Sequence, residues 1–417
     1  MAKRLPTPRP FSRRSSALSS ETAPPLPRRA VVRNLITSAY LPTFLAEIGV
    51  GAIYPLLTLS VLDMDHSGAA ASAVVGAYLA GRLLGSPWGG KLAALHGAAA
   101  ATIWALAGTA IAALLCAFAP NVWLFAAAAA LVGVGHAAFH VSRQAQVVAV
   151  VPKRYRARSL TTLAGVWRVS NFIGPVVGAA LIVVSGLWLA YVFAAATIIA
   201  GAVALMLTHH WRERVHHVRA KQTSVRQVVR ENWRIISTLG VAVALTGALR
   251  AARLIAITVW AEHLGMSDER ATAIFAVSAA VDMLLFWPAG VAMDKRGRRA
   301  TAIPSTLLLA VGTLLMPLSW EVVGVTVLAV MLGVGNGWGS GLLMTLGSDV
   351  APAQGRPIFT GVWMFLQDVG GLLGPAMISL GALVALPVGF FAVGGVGAGT
   401  AALLHKWIPP WRLQADG

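Results

Sequence analysis

Seven charged side chains lie inside long apolar stretches of this 417-residue sequence. At the centre of a membrane-spanning helix, an Asp or Arg costs about 2.5 to 3.5 kcal/mol on insertion scales, so it needs a partner, a watery cavity or a function. A carboxylate in that setting can carry a proton, and a guanidinium can pair with a carboxylate or hold an anionic ligand. The seven residues are Glu47, Arg82, Arg168, Arg250, Arg253, Asp282 and Asp368.

Four of these charges follow an internal repeat. Arg82 and Asp282 are 200 positions apart, as are Arg168 and Asp368, and in both cases the first residue is basic and the second acidic. Since several short motifs recur at one interval, we infer a duplicated unit. The other recurring motifs include Gly90 with Gly290, Gly97 with Gly297, and Gly174-Pro175 with Gly374-Pro375.

The composition excludes an ordinary soluble protein. Hydrophobic residues make up 57% of the chain and charged residues only 12%, whereas soluble domains carry about a quarter charged residues. The net charge of +18 is spread over short basic blocks between apolar runs, so we expect a lipid bilayer around the chain and no nucleic-acid partner. The single cysteine, Cys116, excludes an intramolecular disulfide.

Twelve apolar segments can each cross a bilayer, which takes about 20 helical residues. They lie at about 35–59, 72–92, 98–119, 122–148, 159–184, 188–208, 235–260, 271–293, 301–319, 322–348, 358–382 and 385–405. The predicted domains are a disordered basic tail at 1–33, a six-helix bundle at 34–208, a linker at 209–234, a second bundle at 235–405 and a tail at 406–417.

The placement of Lys and Arg predicts the orientation. With the N-terminus inside, nearly all basic residues that lie between the apolar segments face the cytoplasm, and Arg270 is the external exception. We therefore expect a multi-pass protein of a bacterial plasma membrane, with both termini and the 209–234 linker cytoplasmic.

A short basic turn joins the eighth and ninth segments. Gly290, Asp294, Gly297 and Arg298 are spaced as Gly-x-x-x-Asp-Lys-x-Gly-Arg-Arg. This pattern resembles the loop signature of the major facilitator superfamily of secondary transporters. The resemblance implies that Asp294 biases the conformational equilibrium, either by accepting hydrogen bonds from a helix N-terminus or by pairing with Arg356.

The first-half copy of this loop is degenerate. Ala94 stands where the family has Asp, and Leu95 stands where it has a basic residue. We therefore expect the conformational bias that the loop supplies to rest on Asp294.

The resemblance spans about 34–405 and implies an all-α integral membrane protein. Its twelve transmembrane helices would form two pseudo-symmetric six-helix bundles, the major facilitator fold. In that fold the second helix lies against the eleventh and the fifth against the eighth. The repeat-spaced charges would then pair across the halves, Arg82 with Asp368 and Arg168 with Asp282. The alternative is that each charge is satisfied within its own half.

The fifth and eleventh segments carry matched Gly-Pro motifs, Gly174-Pro175 and Gly374-Pro375. They resemble the antiporter signature of the family, which goes with exporters that exchange protons for solute. The resemblance implies a kinked, close-packed interface between the moving halves, and the alternative is plain helix packing.

Other polar and aromatic residues are candidates for a central cavity. Glu47 would carry the proton or meet a cationic solute, and Arg250 lies at a similar depth in the repeat. His136 and His140 share a helix face, which favours packing or a polar cavity wall; we expect no metal site, because one needs more ligands. The remaining candidates are Asn171, Gln367, Trp167 and Trp363.

The preferred interpretation is a monomeric secondary transporter that exports small amphipathic molecules in exchange for protons, as in drug efflux. One alternative is a transporter of a defined metabolite, such as a sugar or organic anion, which Arg250 and Arg253 favour. A second alternative is a membrane receptor or scaffold that does not transport. We expect no cofactor and no enzymatic activity, since the sequence offers no nucleophile–base set.

Overall fold

The computed structural model describes residues 35–64, 66–152, 155–208 and 224–408. Within these ranges, six long helices precede residue 209 and six follow residue 232. The first six are α1 (Ile36–Asp63), α2 (Gly68–His96), α3 (Ala98–Ala117), α4 (Val122–Val150), α5 (Arg156–Ser185) and α6 (Leu187–Leu207). The other six are α7 (Trp233–His263), α8 (Asp268–Arg296), α9 (Arg299–Leu318), α10 (Val322–Val350), α11 (Arg356–Ala382) and α12 (Leu386–Trp407).

The helices match the predicted segments one to one. Eleven of those described are long and apolar enough to cross a membrane, and α2, with 29 residues, is the exception. The predicted all-helical fold, with twelve long helices in two sets of six, is confirmed. The predicted tail at 1–33 and most of the predicted linker lie outside the described residues; the end of the linker forms a short helix, Val225–Glu231.

The two halves pack in the same way. In the first half α1 contacts α5 and α6, α2 contacts α4, and α3 contacts α4 and α6. In the second half α7 contacts α11 and α12, α8 contacts α10, and α9 contacts α10 and α12. Each half buries its own apolar core. The repeat seen in the sequence is thus a repeat of helix packing.

The halves meet mainly through two helix pairs, α2 with α11 and α5 with α8, and less extensively through α4 with α11 and α5 with α10. Glycine allows the closest approaches: a methyl group at Gly90 would overlap the carbonyl oxygen of Pro357, and one at Gly290 would overlap Thr161. These contacts lie near the ends of α2 and α8 that lead into the turns at Gly97 and Gly297. The halves are therefore closed against each other at the end that carries the basic turns.

The matched Gly-Pro motifs do not form this contact. Gly174 faces the backbone of α1 at Ile48, and Gly374 faces the backbone of α7 at Ala248. Their small size serves the packing of α5 and α11 within their own halves. We expected these glycines to line the interface between the halves. This expectation is wrong, because Gly90 and Gly290 occupy that position.

Candidate functional site

An ion pair joins the two halves between α2 and α11. Arg82 Nη2 donates to Oδ1 of Asp368 at 3.1 Å, and Ser86 Oγ donates to Oδ2 at 2.8 Å. The two charged side chains are 23% and 19% exposed, so the pair lies at a partly accessible surface. The structure thus brings together the first of the two pairs that the sequence suggested.

A second ion pair joins α5 to α8. Arg168 Nη2 lies 3.4 Å from Oδ1 of Asp282. Oδ2 of Asp282 accepts from Arg253 Nη2 at 3.4 Å and from Asn336 Nδ2 at 2.7 Å, both in its own half. Asp282 therefore has partners in both halves. The sequence suggested either a pair across the halves or partners within one half, and Asp282 combines the two.

Arg250 lies beside this carboxylate group. Its Nη2 donates to the backbone carbonyl of Asn336 at 2.9 Å, and its Nε is buried without a hydrogen-bond partner. Asn336 links it to Asp282, because the amide of Asn336 binds that carboxylate. Arg250 belongs to no ion pair within 4.0 Å among the residues that the structure describes.

Glu47 of α1 is fully buried and faces two histidines of α4. Its Oε1 lies 2.7 Å from His140 Nε2 and 3.4 Å from His136 Nε2. The Trp167 ring stacks on His140 with 3.9 Å between centroids. Although Arg250 lies at a similar depth in the repeat, the partners of Glu47 are His136 and His140, for which the sequence favoured packing or a polar cavity wall. Their four-residue spacing, which puts both on one helix face, was the available signal.

Glu47, His136 and His140 form a buried polar cluster, the Glu47 cluster. The three potential ligand atoms all lie within 4.8 Å of one another, a spacing that a metal ion also uses. Two ligands of one zinc ion, with bonds of about 2.0–2.1 Å, lie more than about 3 Å apart. The 2.7 Å contact between Glu47 and His140 is instead the length of a hydrogen bond.

His136 connects this cluster to the first ion pair. Its Nδ1 lies 2.7 Å from the Tyr78 hydroxyl and 3.4 Å from Arg82 Nη1. Arginine can only donate, so Nδ1 accepts, and the proton of the neutral ring is on Nε2, toward Glu47. A row of polar contacts, the polar chain, thus runs from Glu47 through His136 and Arg82 to Asp368, and its contact between Glu47 and His136, at 3.4 Å, is not a hydrogen bond.

The Asp294 carboxylate caps a helix of the opposite half. It accepts from the backbone N–H groups of Ala157 and Arg158 at 3.2 and 3.3 Å and from Arg158 Nε at 2.8 Å. These groups begin α5, where unsatisfied N–H groups favour an anion. The helix-terminus alternative describes this contact. The suggested pairing of Asp294 with Arg356 is wrong. The arginine partner of Asp294 is Arg158, near the start of α5.

The other residues of the loop motif have local roles. Arg298 donates to Asp349 through Nε at 2.6 Å and Nη2 at 3.3 Å. Gly297 has φ +85°, a left-handed conformation that favours glycine, and it ends α8. Both residues shape the turn within the second half, whereas Asp294 reaches across to the first.

The remaining cavity candidates lie in three different surroundings. Trp363 is 1% exposed and donates to the Leu343 carbonyl at 2.8 Å, so it packs in the core and the cavity assignment is corrected. Asn171 is exposed and donates to the backbone of Trp167, while Gln367 is partly buried with an unpartnered amide nitrogen. Trp167 joins the Glu47 cluster.

The sequence matches the family model described as Major Facilitator Superfamily over residues 39–375. No protein of curated function matches it.

Several solved transporters share the fold. A variant of the E. coli fucose:proton symporter FucP gives a TM-score of 0.75 at 15% identity, covering 89% of this chain and 98% of that one. The proton:xylose symporter XylE, bound to 6-bromo-6-deoxy-D-glucose, gives 0.71 at 16% identity, covering 91% and 96%. The human organic anion transporter MFSD10 (TETRAN) gives 0.67 at 14% identity, covering 89% and 99%. At these identities the likeness is one of fold.

Proposed function

The chain belongs to the major facilitator superfamily and is a multi-pass membrane transporter rather than an enzyme, and we propose that it couples the movement of a small polar solute to protons by alternating access. The observation that carries this proposal is the polar chain from Glu47 to Asp368. It links a buried site that can hold a proton to an ion pair that joins the two halves.

Alternating access needs contacts that exist in one state and break in the other. The two ion pairs between the halves fit that role because they lie beside the close contacts of α2 with α11 and of α5 with α8. Asp294 adds a third contact, from α8 to the start of α5. Under the predicted orientation this closed end is cytoplasmic, so the conformation faces outward.

A proton can act on this arrangement through His136. Protonation of Nδ1 removes the acceptor that faces Arg82 and puts two positive charges side by side. Arg82 is at the same time the partner of Asp368 in the other half. The protonation of the Glu47 cluster and the stability of the contact between the halves are therefore linked.

The charges between the halves favour a polar solute over an amphipathic one. Four arginines and two aspartates lie in or beside the two ion pairs: Arg82, Arg168, Arg250, Arg253, Asp282 and Asp368. A cationic drug would be repelled by this excess of positive charge. The fucose:proton and proton:xylose symporters that share the fold support this choice at the level of fold.

Proton-coupled export of amphipathic molecules is the second candidate. The aromatic Trp167 beside the Glu47 cluster favours it, because a flat apolar ring can contact such a substrate. In either case the proposed setting is a bacterial plasma membrane, with a monomeric protein and both termini in the cytoplasm.

Purified protein in sealed liposomes tests the proposal. An imposed pH gradient should drive uptake of at least one member of a panel of sugars, organic anions and amphipathic cations, and a proton-conducting ionophore should abolish it. If the gradient drives no solute while a sodium gradient does, the coupling ion is not the proton.

A further inference from the structure

Among the residues that the structure describes, Arg250 has no carboxylate within 4.0 Å. Its guanidinium contacts the carbonyl of Asn336, and its Nε is buried without a partner. A cation at this depth of a membrane helix normally has an anionic partner, a watery cavity or a ligand. Asp282, the nearby carboxylate, is already bound to Arg168, Arg253 and the Asn336 amide.

This region therefore has an excess of positive charge. Arg168 and Arg253 share the single carboxylate of Asp282, and Arg250 lies beside them on the Asn336 carbonyl. The other inward-facing acids, Asp368 and Glu47, are bound to Arg82 and to the histidines of α4. With three guanidinium groups and one carboxylate, the group carries a net charge of about +2, which an anion would balance.

The four side chains differ in access. Arg168 of α5 is 23% exposed and Arg250 of α7 is partly buried, whereas Arg253 and Asp282 are 5% and 7% exposed. The two more accessible guanidinium groups come from opposite halves of the protein. An anion that contacted both of them would touch both halves.

We infer that the transported solute is an organic anion, and that its carboxylate or phosphate group binds between Arg168 and Arg250. Guanidinium groups suit this because they bind such anions through two parallel hydrogen bonds. The inference rests on the proposed function, since it names the solute class for the same transport path. An anion on Arg168 also competes with Asp282, and so loosens the ion pair between α5 and α8.

Binding to purified wild-type protein in detergent tests the inference directly. The probes are inorganic phosphate, sulfate, succinate and glucose 6-phosphate, with succinamide and glucose as neutral counterparts, all at one ionic strength set with KCl. At least one anion should raise the melting temperature where its neutral counterpart does not. If no anion exceeds the KCl control, or the neutral compounds stabilise equally, the inference is wrong.

Variants assign the effect to the site. Arg250→Gln should weaken the binding of the stabilising anion by about tenfold or more, because a hydrogen-bonded charge contact is lost. Arg230→Gln, a surface change on the short helix before α7, should leave it unchanged. Equal weakening by both variants, or by neither, would contradict the site and leave an adventitious ion only.

Stability without any ligand gives a second, independent readout. Arg250→Gln removes an unpaired cation and should leave the melting temperature unchanged or higher. Arg253→Gln removes a partner of Asp282 and should lower it. If Arg250→Gln is the more destabilising change, Arg250 has a structural partner and the inference fails.

The two proposals can fail separately. A neutral sugar driven by a pH gradient, with equal rates for wild type and Arg250→Gln, would overturn the anion site and leave proton-coupled transport standing. Anion binding that depends on Arg250, without proton-driven flux of any solute, would support the anion site and overturn proton-coupled transport.

Discussion

Arg82 and Asp368 lie 286 positions apart in the chain and form a hydrogen-bonded ion pair of 3.1 Å between the two halves of the protein. The same arginine also faces His136, a neighbour of Glu47. Arg82 is therefore the residue at which the Glu47 cluster of the first half and a contact to the second half meet.

Exchanging the charges of this pair should restore what single neutralisation removes. Arg82→Gln or Asp368→Asn leaves one charge without its partner, which costs about 3–5 kcal/mol when fully buried and less at this partly exposed site. Arg82→Asp combined with Asp368→Arg should regain part of the transport rate in liposomes. A double variant no better than the single variants would show that the pair does not act as a unit.

The corresponding exchange of Arg168 and Asp282 should fail. Asp282 also binds Arg253 and Asn336. An arginine at position 282 would therefore face the guanidinium group of Arg253, which would lose its carboxylate partner. From the sequence alone both exchanges appear equivalent. Transport assays of the two double variants at equal expression distinguish them, and recovery by the Arg168–Asp282 exchange would show that Arg253 is not a close partner.

Asp294→Asn should impair transport more than Lys91→Ala in the degenerate loop. Asp294 is 2% exposed and accepts three hydrogen bonds at the start of α5, whereas Lys91 is exposed. Loss of the charged contact costs the closed state about 1.5 kcal/mol or more, roughly a tenfold shift between the two states. Equal transport by wild type and Asp294→Asn would contradict this role.

Glu47→Gln should abolish accumulation driven by a pH gradient and spare solute exchange without a gradient. Glutamine keeps the size of the side chain and an acceptor for His140 but cannot take up a proton. Thr43→Ser is the matched control, because Thr43 is buried one turn earlier on α1 and bonds its own helix at Ala39. Gradient-driven accumulation by Glu47→Gln would place the proton site elsewhere.

Cysteine labelling in sealed cells should place the basic segments inside. In a Cys116→Ala background, Ala220→Cys should react with an impermeant maleimide only after permeabilisation, because positive residues are retained in the cytoplasm. Glu321→Cys, an exposed residue before α10, should react from outside. The reverse pattern would invert the predicted orientation.

Much of the fold was predictable because lipid forces the chain into helices, and the apolar runs mark where they lie. The two ion pairs were also predictable. The 200-residue interval picked out the four charged residues, and the resemblance to the family supplied which helices are neighbours. The partners of Glu47 were missed because Arg250 lies at a similar depth but on a face toward α10, near Asn336. Helix rotation decides such contacts, and sequence depth does not record it.

The partner of Asp294 was missed for a related reason. The resemblance placed an arginine near a neighbouring helix end, and both Arg158 and Arg356 meet that description, at the starts of α5 and α11. Only the packing of α8 on α5 decides between them.

The central claim is that the ion pair of Arg82 and Asp368 holds one end of the transporter closed, and a distance measurement tests it without knowledge of the substrate. Spin labels at Leu95→Cys and Gln354→Cys, both exposed near this end, report the separation of α2 and α11 in a Cys116→Ala background. Wild type should give mainly a short distance, Arg82→Gln should add a longer population, and the exchange Arg82→Asp with Asp368→Arg should return it toward the short one. Identical distance distributions in all three proteins would contradict the account.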